Sequence, residues 1–437
     1  MAKTVSWKQG IQSILFWSII SAAFIGPGTV ATASKSGAGF GLSLLWALIF
    51  STIATIFLQE AAARLTIASG KNLGEIIAIK YKGRKSSKIR WMIFLAVAFG
   101  CAAYQAGNML GALSGLALIT TISTKWLTFV IALICATLLW LGNFRIIANL
   151  LGIIVALMGT AFIYAAFNTG FSFIEITSAA IQPSFPKDSS LLIIGLIGTT
   201  IVPYNLFLAS GISKNQNINE MRIGILIAVF IGGLISIAIL LVGTQVTGAF
   251  SFPALADTLS AKYGQWMAAF FGFGLFAAGL SSSITSPLAA AVTARSVFGT
   301  DSGKWSPRSR NFRLVWGSIL LIGLCFGVLD IKPIPAIILA QAINGILLPL
   351  VTIFLLLAVN DETLIGQQYV NTNRLNIPLL LIVGITVFLG MINILKASLK
   401  IIPIPLLNDS MMVNLSIGIA SITVAWLSWK IFKQKNI

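Results

Sequence analysis

Two short runs in this sequence place glycine, threonine and proline inside otherwise apolar segments: Gly26-Pro27-Gly28-Thr29, and Gly198-Thr199-Thr200 followed by Val202-Pro203-Tyr204-Asn205. Proline gives the backbone no N–H and glycine weakens a helix, so each run leaves peptide groups without helical partners. In an apolar environment such groups are costly unless they hold something. The side chains beside them are neutral, with Thr32 adding a third hydroxyl next to the first run. Covalent or acid–base catalysis has no candidate: the chain has no His, and Cys101, Cys135 and Cys325 sit in apolar runs without metal-ligand spacing or an adjacent base. No apolar run holds paired carboxylates. The chemistry on offer is reversible binding of a solute, not bond making.

The elements that must position these runs are membrane helices. Of the 437 residues, 57% are hydrophobic and only 9% charged, against about 25% charged in an ordinary soluble domain. Apolar runs of about 18 residues or more, each enough to cross a bilayer, recur along the whole length. Their breaks predict spans over 11–34, 42–68, 91–120, 126–144, 147–169 and 190–210, then 222–249, 264–294, 313–330, 334–358, 376–395 and 411–430. The first reads as a retained span and not a signal peptide, because Gly26-Pro27-Gly28 continues into more membrane sequence without a small-residue cleavage pattern. The chain, 1–437, is thus a single all-α transmembrane domain. The interruptions fall in spans one and six, the first members of two five-span halves, which is the pattern of an inverted-repeat transporter. On this reading 11–210 holds the first repeat and the start of the second, 190–358 the second repeat, and 376–430 two additional helices.

Charge gives the orientation. The 29 Lys and Arg outnumber 11 Asp and Glu, and they gather in loops: Lys80, Lys82, Arg84, Lys85, Lys88 and Arg90 in one, Lys304, Arg308, Arg310 and Arg313 in another. Positive-inside bias explains this without a nucleic-acid partner and puts both termini in the cytoplasm, with the bilayer, in the plasma membrane of a bacterium, as the chain's surroundings. The oligomeric state is left open, a monomer included.

The residues at the breaks resemble the NRAMP (natural resistance-associated macrophage protein) family of proton-coupled divalent metal transporters, which have the LeuT-type fold. The likeness runs through Gly26-Pro27-Gly28-Thr29, Ser36-Gly37-Ala38-Gly39-Phe40-Gly41, Leu44-Leu45-Trp46 and Thr66-Ile67-Ala68-Ser69-Gly70-Lys71-Asn72-Leu73. It continues at Gly198-Thr199-Thr200-Ile201-Val202-Pro203-Tyr204-Asn205-Leu206, Ser281-Ser282-Ser283-Ile284-Thr285 and Gln341-Ala342-Ile343-Asn344-Gly345, and so covers most of the chain. The resemblance implies a fold with twelve or so helices and a substrate site between the breaks. It also marks departures. Where the family has Asp-Pro-Gly-Asn this chain has Gly26 to Thr29; where it has Met-Pro-His, Val202-Pro203-Tyr204; and the family's proton-path Asp and Glu fall on Gln105 and Asn108. Of the side chains the family uses for metal only Gln341 is in place, and amides do not titrate near neutral pH.

With no carboxylate, imidazole or thioether at the breaks, the sequence predicts no transition-metal site. Half-helix N-termini and the hydroxyl and amide groups of Thr29, Thr32, Thr199, Thr200, Tyr204 and Asn205 instead predict a small inorganic anion, bicarbonate for choice, with Gly26, Gly28, Val202 and Gln341 completing the site. Lys35, beyond the break toward the outer end, would draw anions in. Entry against the inside-negative potential would call for a coupled cation, and Ser282 and Ser283 offer hard oxygens for sodium; no other cofactor is implied. Two alternatives stand beside this. One is a divalent cation (manganese, iron or magnesium), for which carbonyls, Gln341 and retained water would serve; the other is a non-transporting receptor or scaffold. Glu60, the acid lying well inside a span, has Arg64 one turn on and reads equally as an ion pair or a functional group.

Overall fold

The computed structural model describes residues 25–80, 84–142, 145–214, 216–299, 303–329, 331–401 and 409–435. Among them the regular structure is helical throughout. In chain order the helices are α1 (Pro27–Phe40), α2 (Leu45–Ser69), α3 (Leu73–Lys80), α4 (Arg84–Ala117), α5 (Thr124–Leu141) and α6 (Arg145–Ala166). There follow α7 (Phe173–Ile181), α8 (Ser190–Thr200), α9 (Pro203–Ile212), α10 (Ile218–Gly243), α11 (Phe252–Tyr263) and α12 (Gln265–Phe298). The last are α13 (Arg310–Val328), α14 (Pro333–Ala358), the single turn α15 (Glu362–Ile365), α16 (Asn373–Ile401) and α17 (Asp409–Lys435).

Among the described residues eleven segments are long and apolar enough to cross a membrane, and they coincide with spans two to twelve of the sequence reading. Of the first span, residues 11–24 lie outside the described residues and the remainder forms α1. Position within the bundle follows from how much of each span is shielded. The segment 190–211, made of α8 and α9, has 89% of its apolar window buried, against 33% for α5, α6 and α13 and 22% for α17. The interrupted span is therefore central. Outward faces carry large apolar side chains such as Leu133, Leu150, Leu321 and Ile422, as lipid-facing surfaces should.

Three shorter helices, α3, α7 and α11, lie in connections that apolar runs do not mark. Helix α7 had a signal in the sequence: Ser172 and Glu175 form a capping box in which each side chain takes the other's backbone N–H. Helix α11 starts with Ser251 accepting from the Ala254 N–H, and Pro253 sits in its first turn.

The central helices approach closely because the residues between them are small. A Cβ at Gly37 would lie 2.1 Å from the Leu240 carbonyl oxygen, and one at Gly243 would lie 2.3 Å from that of Ser34, so α1 and α10 meet backbone to backbone. The same holds for α8 against α14, where a Cβ at Gly198 would lie 2.0 Å from the Gln341 carbonyl oxygen. These contacts set the two breaks face to face.

Candidate substrate site between the two helix breaks

At the first break Gly26 is extended and α1 begins at Pro27, whose missing N–H costs nothing at a helix start. At the second, α8 ends at Thr200, Ile201 leaves the helical conformation, Val202 is extended, and α9 begins with Pro203. Pro203 has no N–H to give the Thr199 carbonyl one turn back. Neighbouring side chains take up other exposed carbonyls. The Tyr104 hydroxyl donates to Gly198 O at 2.6 Å, and the Thr55 hydroxyl, which donates to Ser51 O at 2.7 Å, lies 3.3 Å from Thr200 O. Tyr104 also meets Tyr204 edge to face, with ring centroids 5.6 Å apart.

The breaks are joined directly: Thr29 Oγ1 and Thr199 Oγ1 lie 2.9 Å apart, both fully buried. Helix α14 brings Gln341 against the first break, where a Cβ on Gly28 would lie 2.0 Å from Gln341 Nε2; only glycine leaves that amide room. Helix α12 brings Ser282, whose Oγ would be 3.2 Å from a Cβ on Gly26. Thr32 faces α8 at Gly195, its methyl 3.2 Å from a Cβ placed there. Gly26, Gly28, Thr29, Thr32, Thr199, Gln341 and Ser282 thus converge.

Other residues of the predicted set stand differently. Thr200 turns its hydroxyl back to Leu196 O at 3.0 Å, and Val202 contributes a carbonyl that accepts from the Asn205 N–H at 3.0 Å. Asn205 is buried with neither amide atom bonded, and Ser283 is buried with an unbonded hydroxyl. Gln105 points away from the breaks, toward α13, where Gly323 makes room for it; both its amide atoms are unbonded, as is Asn108 Nδ2. Glu60 is an ion-pair residue: its carboxylate takes Arg64 Nε at 3.0 Å and Arg222 Nε at 2.9 Å. Arg64 goes on to Asn371 and the Tyr369 carbonyl. Sequence reasoning missed Tyr104, which shields a carbonyl of the break; nothing in its spacing distinguishes it from an ordinary core tyrosine.

Electrostatically the site is neutral, and its unbonded atoms include Gln341 Oε1, Asn205 Oδ1 and Thr32 Oγ1. The hydroxyls counted on to grip an anion are largely engaged, Thr29 with Thr199 and Thr200 with its own helix. Among the described residues no group of three or more His, Cys, Asp or Glu side chains comes together.

Comparison with known proteins bears on this site. A family model described as "Natural resistance-associated macrophage protein-like" matches residues 18–396. A protein of Caldanaerobacter subterraneus named divalent metal cation transporter MntH is 25% identical over 388 residues, covering 84% of this chain and 88% of that one. A protein of the same name from Verminephrobacter eiseniae is 28% identical over 295 residues, covering 62% of this chain and 65% of that one. Among solved structures, the Eremococcus coleocola manganese transporter superposes with a TM-score of 0.74 at 20% identity, covering 100% of this chain and 97% of that chain. The fold is thus of the LeuT type and the chain is an integral membrane protein. The expected anion cargo, bicarbonate included, is overturned by these relatives, whose names specify divalent metal cations, and a generic small-ion partner is corrected with it. The physical error was to weigh the positive helix ends and the hydroxyl donors. Thr29 and Thr199 bond each other and Thr200 bonds its own helix, while Thr32 Oγ1, both amide atoms of Asn205 and Gln341 Oε1 are left unbonded.

Proposed function

The chain belongs to the natural resistance-associated macrophage protein family, and on that premise we propose that it is a secondary transporter, not an enzyme, carrying a divalent metal cation by alternating access. The observation that carries this reading is Gln341: 1% exposed, lodged against Gly28 at the first break, with Oε1 unbonded. A buried amide oxygen without a partner costs about 1–3 kcal/mol, and a cation returns that cost. Gly26, Gly28, Thr29, Thr32, Thr199, Val202, Asn205 and Gln341 form the proposed site, with Thr200 and Tyr204 as its wall. Because every donor atom is a neutral oxygen, the site favours a hard ion such as manganese or magnesium that keeps part of its water shell. Sodium coupling has no task here: a divalent cation entering toward a negative interior gains about 2.3 kcal/mol per charge per 100 mV.

The test is uptake of manganese and of magnesium by the purified chain in proteoliposomes, with an inside-negative potential. Saturable uptake of either, lowered by Gln341→Ala, supports the reading. Failure of both ions to enter vesicles holding correctly folded protein overturns it.

A further inference from the structure

We propose that Asn344 and Tyr104 are positioning residues, which through a closed circuit of three helices fix the amide of Gln341 against the second break. This rests on the reading of Gln341 as a cation ligand. Gln341 Oε1 has no hydrogen-bond partner, so no bond on that atom aims it, and its direction is inherited from the placement of α14. The helix must therefore be held in rotation and height by its neighbours.

Two helices hold it. Along α4, which runs antiparallel to α14, a Cβ at Gly100 would lie 2.6 Å from Asn344 Oδ1 and one at Gly107 would lie 3.6 Å from Ile337 Cα, so the seam brackets Gln341. Asn344, 1% exposed and one turn on from Gln341, donates through Nδ2 to Ala340 O of its own helix at 3.1 Å and to Gly100 O at 3.3 Å. One amide thus fastens α14 to α4. Along α8 the contact is backbone to backbone: a Cβ at Gly198 would lie 2.0 Å from Gln341 O and 2.7 Å from Gly345 N. The circuit closes between α8 and α4, where the hydroxyl of Tyr104, one turn on from Gly100, donates to Gly198 O at 2.6 Å.

Interhelical hydrogen bonds are common among membrane helices and by themselves imply no role. These two are set apart by where they act. They reach Gln341 from two sides, Asn344 through the next turn of α14 and Tyr104 through the glycine that Gln341 O abuts. Loss of either leaves α14 free to turn or slide, and a shift too small to unfold the bundle is enough to misplace a ligand.

The experiment combines uptake of manganese and of magnesium in proteoliposomes with thermal unfolding of the same full-length variants. Tyr104→Phe and Asn344→Leu should each raise KM for the transported ion roughly three- to tenfold, the scale of one hydrogen bond, with the maximal rate per folded molecule retained. Ser286→Ala, which removes a buried bond of the same kind from α12 to the Cys101 carbonyl of α4 at 2.8 Å, should lower the unfolding midpoint and leave KM alone. If Asn344→Leu does not fold, Asn344→Ser takes its place, because the shorter side chain reaches its own helix and not Gly100. An unchanged KM in both variants, or an equal rise in Ser286→Ala, overturns the proposal. The midpoints test the circuit whatever the cargo: Tyr104→Phe with Asn344→Leu should lower the midpoint by less than the sum of the single shifts, since one loss already opens the circuit. Additive shifts overturn the proposal. Non-additive shifts in a chain that takes up neither ion would sink the cation reading and keep the placement of Gln341 by this circuit.

Discussion

Thr29 Oγ1 lies 2.9 Å from Thr199 Oγ1, so the two interrupted helices are tied to each other by neutral hydroxyls. A carboxylate at the first of these positions would still accept from Thr199 and would add a full negative charge facing the proposed cation. Thr29→Asp is therefore expected to lower KM for manganese about tenfold, a difference of about 1.4 kcal/mol. Radiotracer uptake at varied manganese concentration checks it; a raised or unchanged KM removes Thr29 from the site.

Gly28 and Gln341 make a second pair that a single methyl group should disrupt. A Cβ there would fall 2.0 Å from Nε2, so Gly28→Ala must displace the amide. The expected outcome is loss of uptake with a destabilisation of about 1–3 kcal/mol. Adding Gln341→Ala should restore stability without restoring uptake, because the space is regained and the oxygen is not. A thermal unfolding series on the single and double variants measures that coupling.

Titration offers a third prediction. The chain contains no histidine, Gln105 and Asn108 are amides, and the Glu60 carboxylate is held by Arg64 and Arg222. No group near the breaks changes charge at neutral pH, so divalent uptake should be unaltered between about pH 5.5 and 8, apart from surface effects. A pH-sensitive dye trapped in the vesicles should report no proton entry during uptake. Acidification in step with the metal would point to a relay that these residues do not supply.

The Glu60 network should be structural. Arg64 is buried, and Glu60→Gln leaves it bonded to Asn371 and the Tyr369 carbonyl but without its countercharge. A loss of about 1.5–3 kcal/mol, the scale of a hydrogen bond to a charged group, is expected. Uptake per folded molecule should be unchanged. Denaturant unfolding alongside transport separates the two effects.

Much of this architecture was legible in the sequence because length and apolarity alone define a bilayer span, and because proline and glycine act locally wherever they occur. The order of the spans and the two interruptions followed from those rules. What the sequence did not disclose was the state of each polar atom. That Thr29 and Thr199 bond each other, that Thr200 folds back on Leu196, and that Tyr104 shields Gly198 are consequences of three-dimensional approach across helices distant in the chain. A list of hydroxyls near a break reads as a set of free donors. Only the packing shows that Thr29, Thr199 and Thr200 are engaged and that Thr32 Oγ1, Asn205 and Gln341 Oε1 are not. The anion expectation failed against the relatives, which are named divalent metal cation transporters.

Lys35 tests the sign of the cargo independently of the site itself. It lies in α1 two turns beyond the break, partly buried, toward the helix end that the charge pattern puts outside. A fixed positive charge there lowers the local concentration of a divalent cation, and the effect fades as salt screens it. Lys35→Gln should therefore speed manganese uptake several-fold at low ionic strength, with the gain shrinking at about 0.15 M salt. For an anionic cargo the same substitution would slow entry. Initial rates of wild type and variant at two salt concentrations distinguish these cases, and a slower variant would contradict the cation reading.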